Sequence, residues 1–429
     1  MTRLSTPWRL TLGLAALLLA TTLLLAWLNL RGEAPLEPDP ATATPASAAT
    51  LAQGAYLARA GNCAGCHTAR GGAAYAGGRG IATPFGTVYA GNLTPDASGL
   101  GGWTAAQFRR ALWHGRSADG RLLVPAFPYT HFTQLTRADA DALWSHLRSL
   151  PPVQQANRPH DLRWPYRSQV ALAVWRALYF QPGPSDGGLP AGAGDQLLRG
   201  AYLVNGLGHC SACHANRSVL GGSGSLADSA GGSTLPGQRW QAPSLTDPAE
   251  IAMGQRDARE LVQLLQTGLS DRAAVMGPMA EVVADSTQHL RADDLQAMVA
   301  YLQSLAPARS AGTRPPARLP PRDGLVLARG GQLYADHCLA CHGDQGQGAP
   351  GAYPALAHNP IVTLPDPGNL VQAITTGGFP PATAGNPRPY GMPGFDLPHE
   401  DLAALATWLR ASWGHDAAPV SAVQVLLAR

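Results

Sequence analysis

Cys63-Ala-Gly-Cys66-His67 decides the reading, because it recurs as Cys210-Ser-Ala-Cys213-His214 and as Cys338-Leu-Ala-Cys341-His342. The chain has six cysteines, and these motifs use all of them. None is left for a structural disulfide or a catalytic thiol. Cys-x-x-Cys-His is the attachment pattern of haem c. Two thiols add to the two vinyl groups on one porphyrin edge. One helical turn then carries the next residue beneath the ring, where its imidazole ligates iron. Cys63, Cys66, Cys210, Cys213, Cys338 and Cys341 are therefore expected to hold three covalent haem c groups, with His67, His214 and His342 as proximal ligands. Zinc requires partner Cys or His groups at suitable spacing, and a histidine directly after each pair does not provide it. A redox dithiol leaves the histidines unexplained.

Outward from each motif the chain repeats itself. Gly54-Ala-Tyr-Leu57 precedes Cys63, Gly200-Ala-Tyr-Leu203 precedes Cys210, and Gly330-Gly-Gln-Leu-Tyr334 precedes Cys338. Each unit closes on a similar segment: 142–150 around His146, 297–305 around Tyr301, and 404–410 around Trp408. Apolar residues three and four apart predict amphipathic helices there, with His146, Tyr301 and Trp408 in helix–helix packing. Breakers set the boundaries: Pro151-Pro152 ends the first unit, and a Pro- and Arg-rich linker over 307–324 leads into the third. The division is an anchor or signal over 1–31, a tether over 32–49, units over 50–153, 196–306 and 325–415, and a tail over 416–429. The connecting segment 154–195 carries an aromatic amphipathic helix between Trp164 and Phe180. It is read as packing between two units, with a partner or membrane surface as the alternative. The expected fold is all-α: three tandem small helical bundles, each around a covalent haem that replaces much of the core, behind an N-terminal transmembrane helix.

The second axial ligand sets the redox role, since methionine opposite histidine raises the potential. Met279, in Met276-Gly-Pro-Met279-Ala, and Met392, in Tyr390-Gly-Met392-Pro-Gly, stand on loops before the closing helices and are the expected distal ligands. Met279 is preferred to Met276 because Pro278 stiffens its backbone. Met253 and Met298 read as core residues. The first unit has no methionine between Cys63 and Pro152: its loop reads Pro125-Ala-Phe127-Pro-Tyr-Thr-His131-Phe132. Phe127 occupies the ligand slot and cannot bind iron. His131, four residues on, is the candidate axial ligand, with an open or water-ligated iron as the alternative. His114, in Trp-His-Gly, reads as a capping or hydrogen-bonding residue near the haem.

Arg3 and Arg9 precede an uncharged run from Leu10 to Leu28. At roughly 1.5 Å per residue this spans about 28 Å, close to the hydrocarbon thickness of a bilayer. No clean Ala-x-Ala precedes Glu33, so an uncleaved anchor is preferred to a removed signal. Arginines on its N-terminal flank favour that end staying cytoplasmic. The remainder is then exported, where haem c attachment takes place in bacteria. A formal net charge of +3 without a basic cluster argues against nucleic acid. With 49 Gly and 37 Pro the chain should be rich in loops. No acid, base or nucleophile stands in a recognisable catalytic arrangement.

At these residues the chain resembles the three-haem cytochrome c subunits of membrane-bound periplasmic dehydrogenases acting on alcohols, gluconate or aldehydes. The resemblance covers about residues 50–414. It rests on the three motifs, on Thr83-Pro-Phe-Gly-Thr-Val-Tyr89 with Asn92-Leu-Thr-Pro95, and on Gln155-Ala-Asn-Arg-Pro159, Gly277-Pro-Met-Ala-Glu281 and Ser412-Trp-Gly414. It implies three cytochrome c domains with Met279 and Met392 as distal ligands. It also implies electron flow from a dehydrogenase subunit toward membrane quinone or a terminal oxidase, on the periplasmic face of the bacterial inner membrane. The chain would then be a triheme electron-transfer protein and not itself an enzyme. Phe127 departs from the family's methionine, and that loop also resembles cytochromes associated with molybdenum hydroxylases. The long anchor departs from the family's removable signal. An independent anchored shuttle, or a ligand-binding or catalytic protein using an open first haem, are the rival readings.

Overall fold

Each repeat is organised by one helix crossing, and a glycine permits the close approach. Helix Ala48–Ala60 crosses Arg137–Arg148 at Gly54, Asp195–Tyr202 crosses Ala292–Ser304 at Gly200, and Gly324–His337 crosses His399–Leu409 at Gly330. A Cβ on Gly54 would lie 2.0 Å from the Ala142 carbonyl oxygen, one on Gly200 2.0 Å from that of Ala297, and one on Gly330 2.3 Å from that of Ala404. The next neighbours of those points include the Cβ atoms of His146, Tyr301 and Trp408. These three bulky residues therefore pack across the crossings, as their helical spacing predicts.

The computed structural model describes residues 6–37, 45–185, 187–189, 192–227, 232–234, 237, 239–305 and 323–429. The linker expected over 307–324 lies almost wholly outside the described residues, as does 38–44 of the expected tether. Helices dominate, but the fold is not purely helical. Gly80–Thr83 and Gly86–Tyr89 form an antiparallel hairpin that Asp161–Leu162 joins as a third strand, and Ser233–Thr234 pairs with Gln241–Ala242. Four of these strands lie between one of the first two motifs and the next long helix, and Asp161–Leu162 lies in the connecting segment, all in stretches where backbone polar groups still need partners.

The first two units share one core, in which Leu57, Leu143 and Leu147 join Leu203, Leu295 and Leu302. They meet as a near-twofold pair, each giving the other the same contact. Tyr56 donates to Asp294 and accepts from the Arg291 N–H at 3.3 Å, while Tyr202 donates to Asp139 at 2.6 Å and accepts from the Thr136 N–H at 3.2 Å. Even the supporting residue before each crossing glycine corresponds. Gln53 reaches Asp139, and Arg199 grips Asp294 with two bonds at 2.7 and 2.9 Å. The correspondence breaks once. Cys63 follows Leu57 by six positions but Cys210 follows Leu203 by seven, and one turn of π-helix at Leu203–Leu207 absorbs the extra residue.

The third unit has its own core around Leu333, Val371, Leu402 and Leu405. It docks on the second unit, where Asn369 exchanges two hydrogen bonds with the backbone of Gln241, at 2.9 and 2.7 Å. At the other end, helix Thr6–Leu30 leaves its apolar residues exposed from Leu10 to Leu24.

Two measurements test this packing. Gly200→Ala should lower stability by roughly 2–3 kcal/mol by forcing the crossing apart, while Gly324→Ala, whose Cβ meets nothing within 4 Å, should leave the thermal midpoint nearly unchanged. The Asp294 carboxyl is held well below the usual carboxylate range: burial opposes the charge, and hydrogen bonds from Arg199, Tyr56 and Arg291 outweigh it. Its contribution is therefore fully present above about pH 4 and lost as pH falls through the lowered native value. The melting temperature of the parent should fall more steeply between about pH 4 and pH 2 than that of Asp294→Asn.

Candidate functional site

The motif residues sit on single turns, Cys63–His67, Ser211–His214 and Leu339–His342, with Cys210 and Cys338 as the residues just before the last two. All six cysteines are unpaired. Burial pushes the Cys63 and Cys210 thiols up to about 12 and the Cys338 thiol up to about 11. A redox dithiol needs the opposite, a lowered thiol. Among the described residues no three His, Cys, Asp or Glu side chains converge as a zinc site requires.

The three histidines share one geometry. The Nδ1 of His67 lies 2.6 Å from the Gly91 carbonyl oxygen, that of His214 2.7 Å from the Pro243 oxygen, and that of His342 3.1 Å from the Pro354 oxygen. Burial pushes all three imidazoles down, toward the neutral form that binds metals. A neutral imidazole donating from Nδ1 to a fixed carbonyl has its lone pair on Nε2, in a set orientation. The residues thus fit a covalent haem: two thiols and one aimed imidazole per turn.

The carbonyl partner is itself held, and this is not readable in the motif. The buried Asn92 donates to the Val153 carbonyl at 2.8 Å, its Oδ1 accepts from the Thr94 N–H at 2.8 Å, and its own N–H donates to Asn157 at 2.7 Å. These belong to the Asn92–Pro95 and Gln155–Pro159 stretches. They clamp the loop whose Gly91 carbonyl orients His67. Gly77 allows the return chain close to that carbonyl, since a Cβ there would lie 2.6 Å from the Gly91 oxygen.

The expected distal residues fall in two settings. Met279 lies in the first turn of a separate short helix, Pro278–Asp285, rather than on a loop. The backbone relates it to the first unit. Leu123 donates to the carbonyl of Gly115, and Val275 to that of Gly268, at 2.8 and 2.9 Å; both glycines end the preceding helix. Four residues beyond those donors stand Phe127 and Met279. Phe127 therefore occupies the place that Met279 has in the second unit. Met276 turns away, its Cε 3.4 Å from where a Cβ on Gly378 would be, at the face between the second and third units. Met392 is on an extended segment, exchanging hydrogen bonds with Gly378 at 2.8 and 2.9 Å, and packs on the third core. Met253 and Met298 are buried in the shared core.

His131 is on the short helix Tyr129–Phe132, and its Nδ1 lies 3.1 Å from the Asn205 carbonyl oxygen of the second unit. Its ring centre is 6.2 Å from that of His209, the residue before Cys210. Burial, with the nearby His209, pushes the His131 imidazole down to about 4, so it is neutral at pH 7. His114 ends helix Ala105–His114, is buried, and its carbonyl accepts from Arg176. Arg79 joins the first motif turn to the Met279 helix, donating to Gly65 O at 2.6 Å and pairing with Glu281 at 2.7 Å.

The cytochrome c family model matches residues 51–151 and 327–413. The chain is 37% identical over 392 residues to the alcohol dehydrogenase (quinone) cytochrome c subunit of Gluconacetobacter polyoxogenes, covering 87% of this chain and 82% of that one. It is 35% identical over 397 residues to the gluconate 2-dehydrogenase cytochrome c subunit of Pantoea cypripedii, covering 87% of each. It is 34% identical over 438 residues to the fructose dehydrogenase cytochrome subunit of Gluconobacter japonicus, covering 95% of this chain and 88% of that one.

Phe127→Met would restore a thioether at the position equivalent to Met279. Spectroelectrochemical titration of that variant should show one midpoint potential raised and the others unmoved. Unchanged potentials throughout would mean that this position does not face the first iron.

Proposed function

The chain belongs to the family of cytochrome c subunits of dehydrogenase complexes, and from that membership we propose that it is an electron-transfer subunit carrying three covalent haem c groups, without a catalytic site of its own. The observation that carries this reading is the repeated fixing of a motif histidine by a backbone carbonyl, at Gly91, Pro243 and Pro354. Haem c, when bound, supplies a one-electron couple whose potential follows axial ligand, burial and hydrogen bonding. The chain's own residues do the holding. Cys63, Cys66, Cys210, Cys213, Cys338 and Cys341 would provide the thioether sulfurs, and His67, His214 and His342 would offer Nε2 to the iron. Met279 and Met392 would supply the second ligand in the second and third units, and His131 is the candidate for it in the first.

The second unit is the middle of the row. It is bonded to the first unit through Tyr202 with Asp139 and through Glu281 with Arg79. Its Met276 side faces the third unit. That order supports stepwise transfer between a partner dehydrogenase and a membrane quinone or terminal oxidase. Relatives named for alcohol, gluconate and fructose dehydrogenases support a dehydrogenase as the partner. The apolar helix Leu10–Leu30 is the anchor, holding the body on the periplasmic face of the bacterial inner membrane. Phe127 supports a second reading, in which the first iron lacks a side-chain ligand opposite His67 and binds small molecules.

Electron paramagnetic resonance of the fully oxidised protein and of His131→Ala separates the two. A bis-histidine low-spin signal lost in the variant supports the wire with His131 on the first iron. A high-spin signal present in both supports the open site. A haem-to-protein ratio of three, and co-purification with a large dehydrogenase subunit, are expected. A ratio of two would remove one attachment site, and a chain purifying alone would favour an independent shuttle.

A further inference from the structure

Helix Gln169–Tyr179 has a stripe that does not suit water. From Val170 to Tyr179 its exposed residues are Val170, Val174 and Leu178, at 73%, 39% and 63% exposure, each four positions from the last. A water-facing stripe normally carries polar side chains. The opposite face buries Leu172 and Arg176, the latter donating to His114 O. Trp164, 78% exposed, precedes the helix, and Arg163 and Arg167 flank it. Beside it, Trp175 donates to Leu220 O at 2.8 Å, in the turn that leaves Val219 94% exposed.

The place of this stripe says what covers it. The anchor helix is uncovered from Leu10 to Leu24 and becomes partly or fully covered only at Leu25, Leu28 and Asn29. There Asn29 donates to Ala173 O at 3.0 Å, inside the striped helix, and Arg31 donates to Phe180 O just past its end. The body thus meets the anchor along its last six or so residues, about 9 Å of helix. An amphipathic helix lying in a bilayer interface sits about 5–10 Å into the headgroup and acyl boundary. Charges collect on the protein side of this level, where Arg116 pairs with Glu33 at 2.7 Å and donates to Asn29 O at 3.1 Å.

We propose that Gln169–Tyr179, with Trp164 and the Val219–Leu220 turn, lies in the periplasmic membrane interface as a second contact beside the anchor. This contact rests on the reading of Leu10–Leu30 as a membrane span. With the anchor's end bonded to this same helix, the contact fixes the orientation of the first two units toward the bilayer.

The test uses the full chain, with any subunit it retains, in phosphatidylethanolamine–phosphatidylglycerol vesicles. The vesicles include a lipid bearing a photoactivated diazirine in its upper acyl chain. Mass spectrometry after illumination should find lipid adducts on the anchor and on 164–178, and none near Leu325 of the third unit, which is 81% exposed. In a Val170→Ser, Val174→Ser, Leu178→Ser variant, adducts on Trp164 and Val219 should fall at least about fivefold, with those on the anchor unchanged. Adducts on the anchor with none on 164–178 would overturn the contact and leave the anchor standing. Adducts on neither would overturn the anchor as well. Equal adducts at Leu325 and Val174 would mean that labelling follows exposure alone, which also overturns the proposal.

Discussion

A backbone carbonyl touching a glycine is the constraint from which the rest of each unit follows. At Gly54, Gly200 and Gly330 two helices approach more closely than any side chain would allow. The crossing point lies eight to ten residues before its cysteine turn, so it sets where that turn emerges. The partner helix is pinned at the same point by His146, Tyr301 or Trp408. With both helices fixed, the intervening chain has only to return a carbonyl beneath the motif histidine. The loops that do so differ in length, with the carbonyl 24, 29 and 12 positions beyond the histidine. The endpoint is kept while the route is not, as expected when a hydrogen bond and not a loop conformation is what matters.

Charge is sparse, and two of its clusters sit where units meet. Arg79 with Glu281 ties the first motif turn to the Met279 helix, and Asp294 is shared between Arg199 and Tyr56 across the first two units. The Arg79 pair is well exposed and is worth little as stability. Its value is positional. The Asp294 cluster is more enclosed, and removing one partner leaves the others short of hydrogen bonds. The third unit is joined through Asn369 and Gln241, neutral groups bonding to backbone.

Local chemistry is legible in the sequence, and long-range pairing is not. The motif turns follow from five residues each, and the crossing helices from Gly54, Gly200, Gly330 and the bulky residues opposite. Phe127 stands out in the methionine slot because repeats can be compared by eye, and the shared glycine-capped hydrogen bond gives that comparison a backbone basis. The setting of Met279 differs from the expected one: Pro278 suggests a stiff loop, but proline is equally at home in a helix's first turn. Nothing local announces that Asn92 and Asn157, 65 positions apart, hold one loop. Nor can alternation alone foresee the short ladders, since Asp161–Leu162 becomes a strand only because Gly86–Thr87 lies beside it. The role of the connecting helix is open in the sequence for the same reason. Its apolar stripe is local, but the nearby end of the anchor is not.

The exchanged contacts of the first two units are arranged as in a symmetric dimer, with both halves in one chain. Tyr56 on Asp294 and Tyr202 on Asp139 form one contact made twice. Joining the halves replaces a concentration-dependent equilibrium by an effective local concentration in the millimolar range. The pair then stays assembled at any dilution, and each half is free to drift without losing its mate. An identical pair must change both copies at once, but a fused one can carry phenylalanine at 127 and methionine at 279, or insert a residue before Cys210 alone. Asymmetry between the two halves is thus available to the fused chain and closed to a symmetric dimer.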